Sequence, residues 1–79
     1  MDIRIAARNT RLQLQTRPEA TWPTHGALSF SHVQDMLLRV ELGELVGEKA
    51  HRWLGWAQCA TVAAGAGTLD EMKAINHAA

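Results

Sequence analysis

Apolar residues recur every three or four positions from about residue 29 to the end of the chain, which is the spacing of one face of an α-helix. The pattern predicts three helices, at about residues 29–46, 48–64 and 68–77. Because a residue or two joins the first helix to the second, we expect these two to pack as an antiparallel hairpin. The residues predicted to face each other are Val33, Met36, Leu37 and Val40 on the first helix, and Ala50, Trp53, Leu54, Ala57, Thr61 and Ala64 on the second.

Residues that favour helix ends stand at the predicted boundaries. Ser29 or Ser31 can cap the start of the first helix, and Gly47, or Gly43 one turn earlier, can end it. The third helix opens with Thr68-Leu69-Asp70-Glu71, the pattern of a capping box in which the first and last side chains each bond the other residue's backbone.

Residues 1–16 contain two competing patterns. Apolar residues alternate with polar ones around a turn at Asn9-Thr10, as in a β-hairpin. These alternating residues are Ile3, Ile5, Leu12 and Leu14. A second set lies at helical spacing and consists of Arg4, Arg8, Arg11 and Gln15. We expect the first alternative, an extended or β-hairpin arm.

The segment after this arm, residues 17–28, contains Pro18, Pro23 and Gly26 and cannot continue a helix. It is predicted to be an extended linker. The chain is therefore expected to be mainly α, with an N-terminal arm and linker at residues 1–28 and a three-helix domain at residues 29–79.

The first two helices each have a second apolar side. On the second helix it consists of Arg52, Trp56, Cys59 and Ala63, and on the first of Leu38, Leu42 and Leu45. A hairpin buries one side of each helix, and the third helix is too short to cover the rest. Either Trp56 completes the monomer core against the third helix, or it belongs to an interface. We predict a homodimer, or a partner's binding face, through the side that holds Trp56 and Leu42.

The charges are unevenly spread although the net charge is zero. Residues 1–30 have a surplus of positive charge that comes from Arg4, Arg8, Arg11 and Arg17. These arginines are the candidate phosphate contacts if the protein is a small nucleic-acid-binding transcriptional regulator. The longest uncharged run, residues 53–69, contains three glycines and few large aliphatic residues. It is therefore expected to be a buried helix and turn rather than a membrane span.

No set of residues has the spacing of a catalytic or metal site, so we expect neither enzyme activity nor a cofactor. The histidines lie in separate elements, at His25, His32, His51 and His77. The single cysteine, Cys59, excludes an internal disulfide and suits a reducing cytoplasm. Binding of a small anionic ligand between subunits, with Lys49 and Arg52 as its receptors, is a third class of function.

Two motifs resemble a known group of proteins. Residues 48–58 are EKAHRWLGWAQ and residues 68–72 are TLDEM, and the stretch at residues 32–37 fits the same pattern. They resemble small phage and prophage accessory proteins with an EKAxRWLG-aromatic-x-Q core and a later T-[LI]-[DE]-E-[ML] helix start. Cys59 stands where the group usually has glycine. The resemblance implies a protein of the bacterial cytoplasm that binds and inhibits a host protein, such as a defence or regulatory factor.

Overall fold

The computed structural model describes the whole chain, Met1–Ala79, and consists of four α-helices without a β-strand. The helices are α1 (Ile3–Leu14), α2 (Phe30–Glu41), α3 (Gly47–Ala63) and α4 (Leu69–Ala78). The prediction of a mainly α protein is confirmed. Helices α2 and α3 contact each other, and residues 42–46 connect them.

The predicted extended or β-hairpin arm is wrong, because the N-terminal segment forms α1. The Asp2 carboxylate accepts hydrogen bonds from the backbone N–H groups of Arg4 and Ile5, at 3.0 and 3.3 Å, and so caps the helix start. One side of α1 is buried and consists of Ala6, Ala7, Thr10 and Leu14. Small residues form most of this side, so it is less apparent in the sequence than the larger Ile5 and Leu12, which are exposed. Residues 1–14 thus share one core with residues 29–79.

Helix α2 begins after Ser29, whose hydroxyl accepts a hydrogen bond from the backbone N–H of His32. It ends at Glu41, earlier than the predicted residue 46. The reason is Gly43, which adopts a left-handed φ of +77°. The N–H groups of residues 43 and 44 bond the carbonyls of residues 40 and 39, which is the Schellman ending. The alternative ending at this glycine is therefore correct.

The remaining helix boundaries agree closely with the predicted ones. Helix α3 starts at Gly47, one residue before the predicted start, and its end at Ala63 is followed by Gly65 with a φ of +80°. The predicted capping box at the start of α4 is confirmed. The Thr68 hydroxyl accepts from the Glu71 N–H at 3.1 Å, and the Glu71 carboxylate accepts from the Thr68 N–H at 2.9 Å.

Helix α1 contacts each of the other three helices. The interface of α1, α3 and α4 contains a polar network centred on Gln58. Its amide nitrogen donates to the Thr10 hydroxyl at 3.1 Å and to the Asn76 side-chain oxygen at 2.8 Å, and the Asn76 amide donates back at 3.0 Å. Every buried side-chain polar atom of the chain has a hydrogen-bond partner. The network therefore stabilises one particular arrangement of these helices.

The segment between α1 and α2 contains no helix and follows the surface of the other elements. The Thr21 N–H donates to the Ala64 carbonyl at 2.8 Å, which attaches the segment to the end of α3. Trp22 packs edge-to-face on Phe30, with 5.6 Å between the ring centroids. The hydrophobic core of the chain as a whole is formed by Ala6, Ala7, Leu14, Val33, Leu37, Val40, Ala50, Leu54, Ala57, Ala60 and Ala66.

Candidate protein-binding groove

The second apolar side of α3 remains accessible in the monomer. Trp56 is 40% exposed, and Cys59 and Ala63 are also exposed. Helix α4 packs on α1 and does not cover Trp56, whose ring lies edge-to-face with His32 of α2 at 6.4 Å. The alternative in which Trp56 completes the core against the third helix is therefore wrong.

An open groove lies between α2 and α3 beside this tryptophan. Its volume is about 350 Å³. We call it the tryptophan groove, and its lining consists of Ala27, His32, Met36, Arg52, Trp53 and Trp56. It is mostly apolar and open to solvent, so a side chain from another molecule can enter it without the helices moving apart.

The backbone of α3 holds the two tryptophans in place. Trp53 and Trp56 are three residues apart and therefore lie next to each other on the helix surface. Trp53 is half-buried against the core, and Leu54 and Ala57 on the inner side of α3 are fully packed. The groove thus lies on a helix whose opposite side is held by packing in the core. Because the helix is already fixed, less conformational entropy is lost on binding.

The groove has basic groups at one end. The Lys49 ammonium lies 5.8 Å from the centroid of the Trp53 ring, within the range of a cation–π contact. The Arg52 side chain is 69% exposed, and its distance to the Glu48 carboxylate is 3.9 Å. Both partners of this pair are largely solvated, so it contributes little energy and leaves the guanidinium available.

Cys59 and Ala63 line a different groove, between α3 and α4. Its volume is about 440 Å³, and Val62 and Leu69 also contribute to it. The Cys59 thiol is free and exposed. The second apolar side of α3 is therefore one continuous surface of the helix that borders two separate grooves.

The predicted leucines of α2 do not join this surface. Leu42 follows the end of α2 and lines a third groove with Ile5 and Arg8 of α1. Leu38 is exposed, whereas Leu45 is half-buried against the core. No groove contains both Leu42 and Trp56.

The four arginines of the predicted nucleic-acid arm are distributed over a folded surface. The Arg4 guanidinium donates to the Glu41 carbonyl at 2.8 Å, and Arg11 forms an ion pair with the Glu41 carboxylate at 2.9 Å. Arg17 forms an ion pair with a carboxylate of α4, and Arg8 makes no ion pair. Three of the four groups are therefore engaged within the chain.

The partner of Arg17 is Glu71, at 2.5 Å. The hydrogen bond from the guanidinium, assisted by the backbone N–H of Thr68, lowers the pKa of Glu71 below its usual value. The same hydrogen bond and the charge of Glu71 raise the pKa of Arg17. This ion pair attaches the segment after α1 to the start of α4.

The sequence did not identify His32 and Met36 as groove residues. They are four residues apart on α2 and so share a side of that helix, which is the only local signal that links them. Their proximity to Trp56 depends on how α2 meets α3, which helical spacing does not specify. No group of three or more His, Cys, Asp or Glu side chains is arranged to hold a metal ion. None of the helices combines the length and the apolar character needed to cross a bilayer.

Comparison of the chain with protein-family models, with curated proteins and with solved structures gives no significant match. Function is therefore inferred from the chemistry of the chain's own surface.

Proposed function

We propose that the protein is a non-enzymatic interaction protein of phage or prophage origin. It binds a host bacterial protein through the tryptophan groove and inhibits or modulates that protein. The observation that carries the proposal is the pair of tryptophans, one half-buried and one 40% exposed, in an open apolar groove with an exposed arginine. Tryptophan and arginine are the residue types that most often dominate the energy of protein interfaces. The phage origin follows from the resemblance of the two sequence motifs.

The exposed part of Trp56 sets the scale of the expected contribution. A tryptophan side chain buries roughly 150–250 Å² when it is covered completely. Covering the remaining two fifths removes about 60–100 Å² from water, which is worth about 1.5–2.5 kcal/mol. This corresponds to a change of about 10- to 70-fold in Kd, which is the size of an interface hot spot.

The arginine contacts support protein binding over nucleic-acid binding. A phosphate-contacting arm needs cations that are free to approach the backbone of the nucleic acid. Arg4, Arg11 and Arg17 instead bond groups of the same chain. The homodimer expected from the sequence would compete with a host protein, because it would use the same side of Trp56.

The test is affinity capture from a lysate of the bacterial host, followed by titration of the purified partner. We expect a specific host protein to be captured after nuclease treatment, and Trp56→Ala to weaken its binding by about 10- to 70-fold. The matched control is Leu12→Ala, which removes an exposed apolar side chain from α1 and should leave binding unchanged.

Three results would contradict the proposal. One is equal capture by the Trp56 variant and the control variant. Another is recovery of nucleic acid alone. The third is a dimer in light scattering that Trp56→Ala dissociates while no host protein binds, since this would assign the groove to a second copy of the chain.

A further inference from the structure

The charges around the tryptophan groove are one-sided. None of the residues that line the groove is a carboxylate, whereas Arg52 lines it and Lys49 lies over the Trp53 ring. The nearest acid on α2, Asp35, is bonded to Arg39 at 2.9 Å. The acid beside these cations is Glu48, whose 96% exposed side chain lies 3.9 Å from Arg52. Two cations against one solvated carboxylate leave this end of the apolar groove with a surplus of positive charge.

The start of α3 adds little to this positive potential. Its N-cap residue, Val46, forms no side-chain hydrogen bond to the first N–H groups of the helix. The partial positive charge of these groups is instead offset in part by the Glu48 carboxylate in the first turn of the helix. Arg52 lies between one and two turns further along the same helix and lines the groove, so its guanidinium is the charge that favours an anion there.

The dimensions of the groove limit what can enter it. A volume of about 350 Å³ is at the lower end of the range for ligand sites. The groove is open along one side, so it fits one or two apolar side chains of a larger partner rather than an enclosed small molecule. A carboxylate next to such a side chain would meet Arg52.

We propose that the tryptophan groove binds an acidic segment of a partner protein, with an apolar side chain against Trp53 and Trp56 and a neighbouring carboxylate on Arg52. This inference rests on the proposed function and specifies the chemistry of the partner. The apolar contact supplies most of the affinity, and the charge pair supplies the preference for acidic over neutral or basic segments.

The experiment uses three capped tetrapeptides with two central leucines, flanked by glutamate, by glutamine or by lysine. Binding to the purified protein is followed by NMR at the indole N–H signals. Trp53 and Trp56 report on the groove, and Trp22, which packs on Phe30 elsewhere, is the internal reference. We expect shifts at the two groove signals, with the glutamate peptide binding about two- to fivefold more tightly than the glutamine peptide, as for an exposed ion pair. The lysine peptide should bind most weakly.

Two variants with the same change of net charge separate local from long-range electrostatics. Arg52→Gln should reduce the ratio of glutamate to glutamine peptide affinity to about one. Arg8→Gln removes an unpaired arginine in another groove and should preserve the ratio. High salt should also reduce the preference, because the pair is exposed to solvent.

Several outcomes would overturn the inference: no shift with any peptide, equal affinity for the three peptides, equal shifts at Trp22, or an unchanged ratio in Arg52→Gln. These outcomes are distinct from failure of the proposed function. If Trp56-dependent capture of a host protein occurs without the charge preference, only the inference about the acidic segment fails. If the preference occurs and no host protein is captured, the groove chemistry stands and the proposed function fails.

Discussion

Replacing Leu14 by alanine tests whether α1 belongs to the core. Leu14 is 2% exposed at the end of α1, whereas Leu12 on the same helix is 47% exposed. Removing a buried leucine side chain costs about 2–5 kcal/mol, because the lost burial and the cavity both contribute. A chain of this length is stabilised by only about 4–12 kcal/mol in total. Leu14→Ala should therefore remove a large share of the free energy of unfolding.

The matched control is Leu12→Ala, which makes the same chemical change at an exposed position of α1. We expect its free energy of unfolding to stay within about 0.5 kcal/mol of the wild-type value. Urea unfolding monitored by circular dichroism gives both values, provided that the denaturant slope is similar in the variants. In thermal unfolding, Leu14→Ala should lower Tm by at least about 8 °C, since 1 kcal/mol corresponds to about 4–8 °C in a domain of this size.

Equal stability of the two variants would refute the packing of α1 described above. An extended arm that makes no contact with the core predicts that result, because both leucines would then be solvated. The comparison thus decides between a helix in the core and the arm expected from the alternating pattern.

Two further predictions concern polar contacts between elements. In a double-mutant cycle, Gln58→Ala and Asn76→Ala should show a coupling energy of about 0.5–3 kcal/mol, because each amide bonds the other; independent effects would contradict the network that also includes Thr10. The pKa of Glu71 is lower in the folded chain than its ordinary value of 4.5, so its pair with Arg17 stabilises the protein above that pH, and this stabilisation is lost as the pH falls through the folded-state pKa. Tm measured against pH should therefore show Glu71→Gln below wild type near neutrality and equal to it in acid, and a constant difference would contradict this assignment.

The parts of the fold that follow from local sequence were predictable. Ser29, Gly43 and Thr68 each favour one backbone geometry, so the ends of α2 and the start of α4 follow from the residues themselves. The buried side of α1 is formed mostly by small residues, which bury little area individually and give a weak periodic signal. The larger apolar residues Ile5 and Leu12, which alternate with polar neighbours, give a clearer pattern. That pattern led to the wrong prediction of a β-hairpin arm.

The candidate site was only partly predictable for a different reason. The spacing on α3 placed Arg52, Trp56, Cys59 and Ala63 on one side of that helix. Which residues of the other helices lie beside this side of α3 depends on packing between helices that are distant in the sequence. His32 reaches Trp56 only because α2 lies beside α3, and Leu42 is separated from Trp56 because α1 occupies the other side of α2.

The central position of α1 has a consequence for synthesis on the ribosome. Thr10 and its partner Gln58 are 48 residues apart, so at 5–20 residues per second translation separates them by about 2–10 s. During this interval a helix of 12 residues has no tertiary partner from α3 or α4 and is only marginally stable alone. The polar network can close only when Gln58 of α3 and Asn76 of α4 have been translated, so the packing around α1 is completed late in synthesis. Until α3 emerges, α1 can pack only on α2, so this part of the chain stays accessible to chaperones and proteases during synthesis.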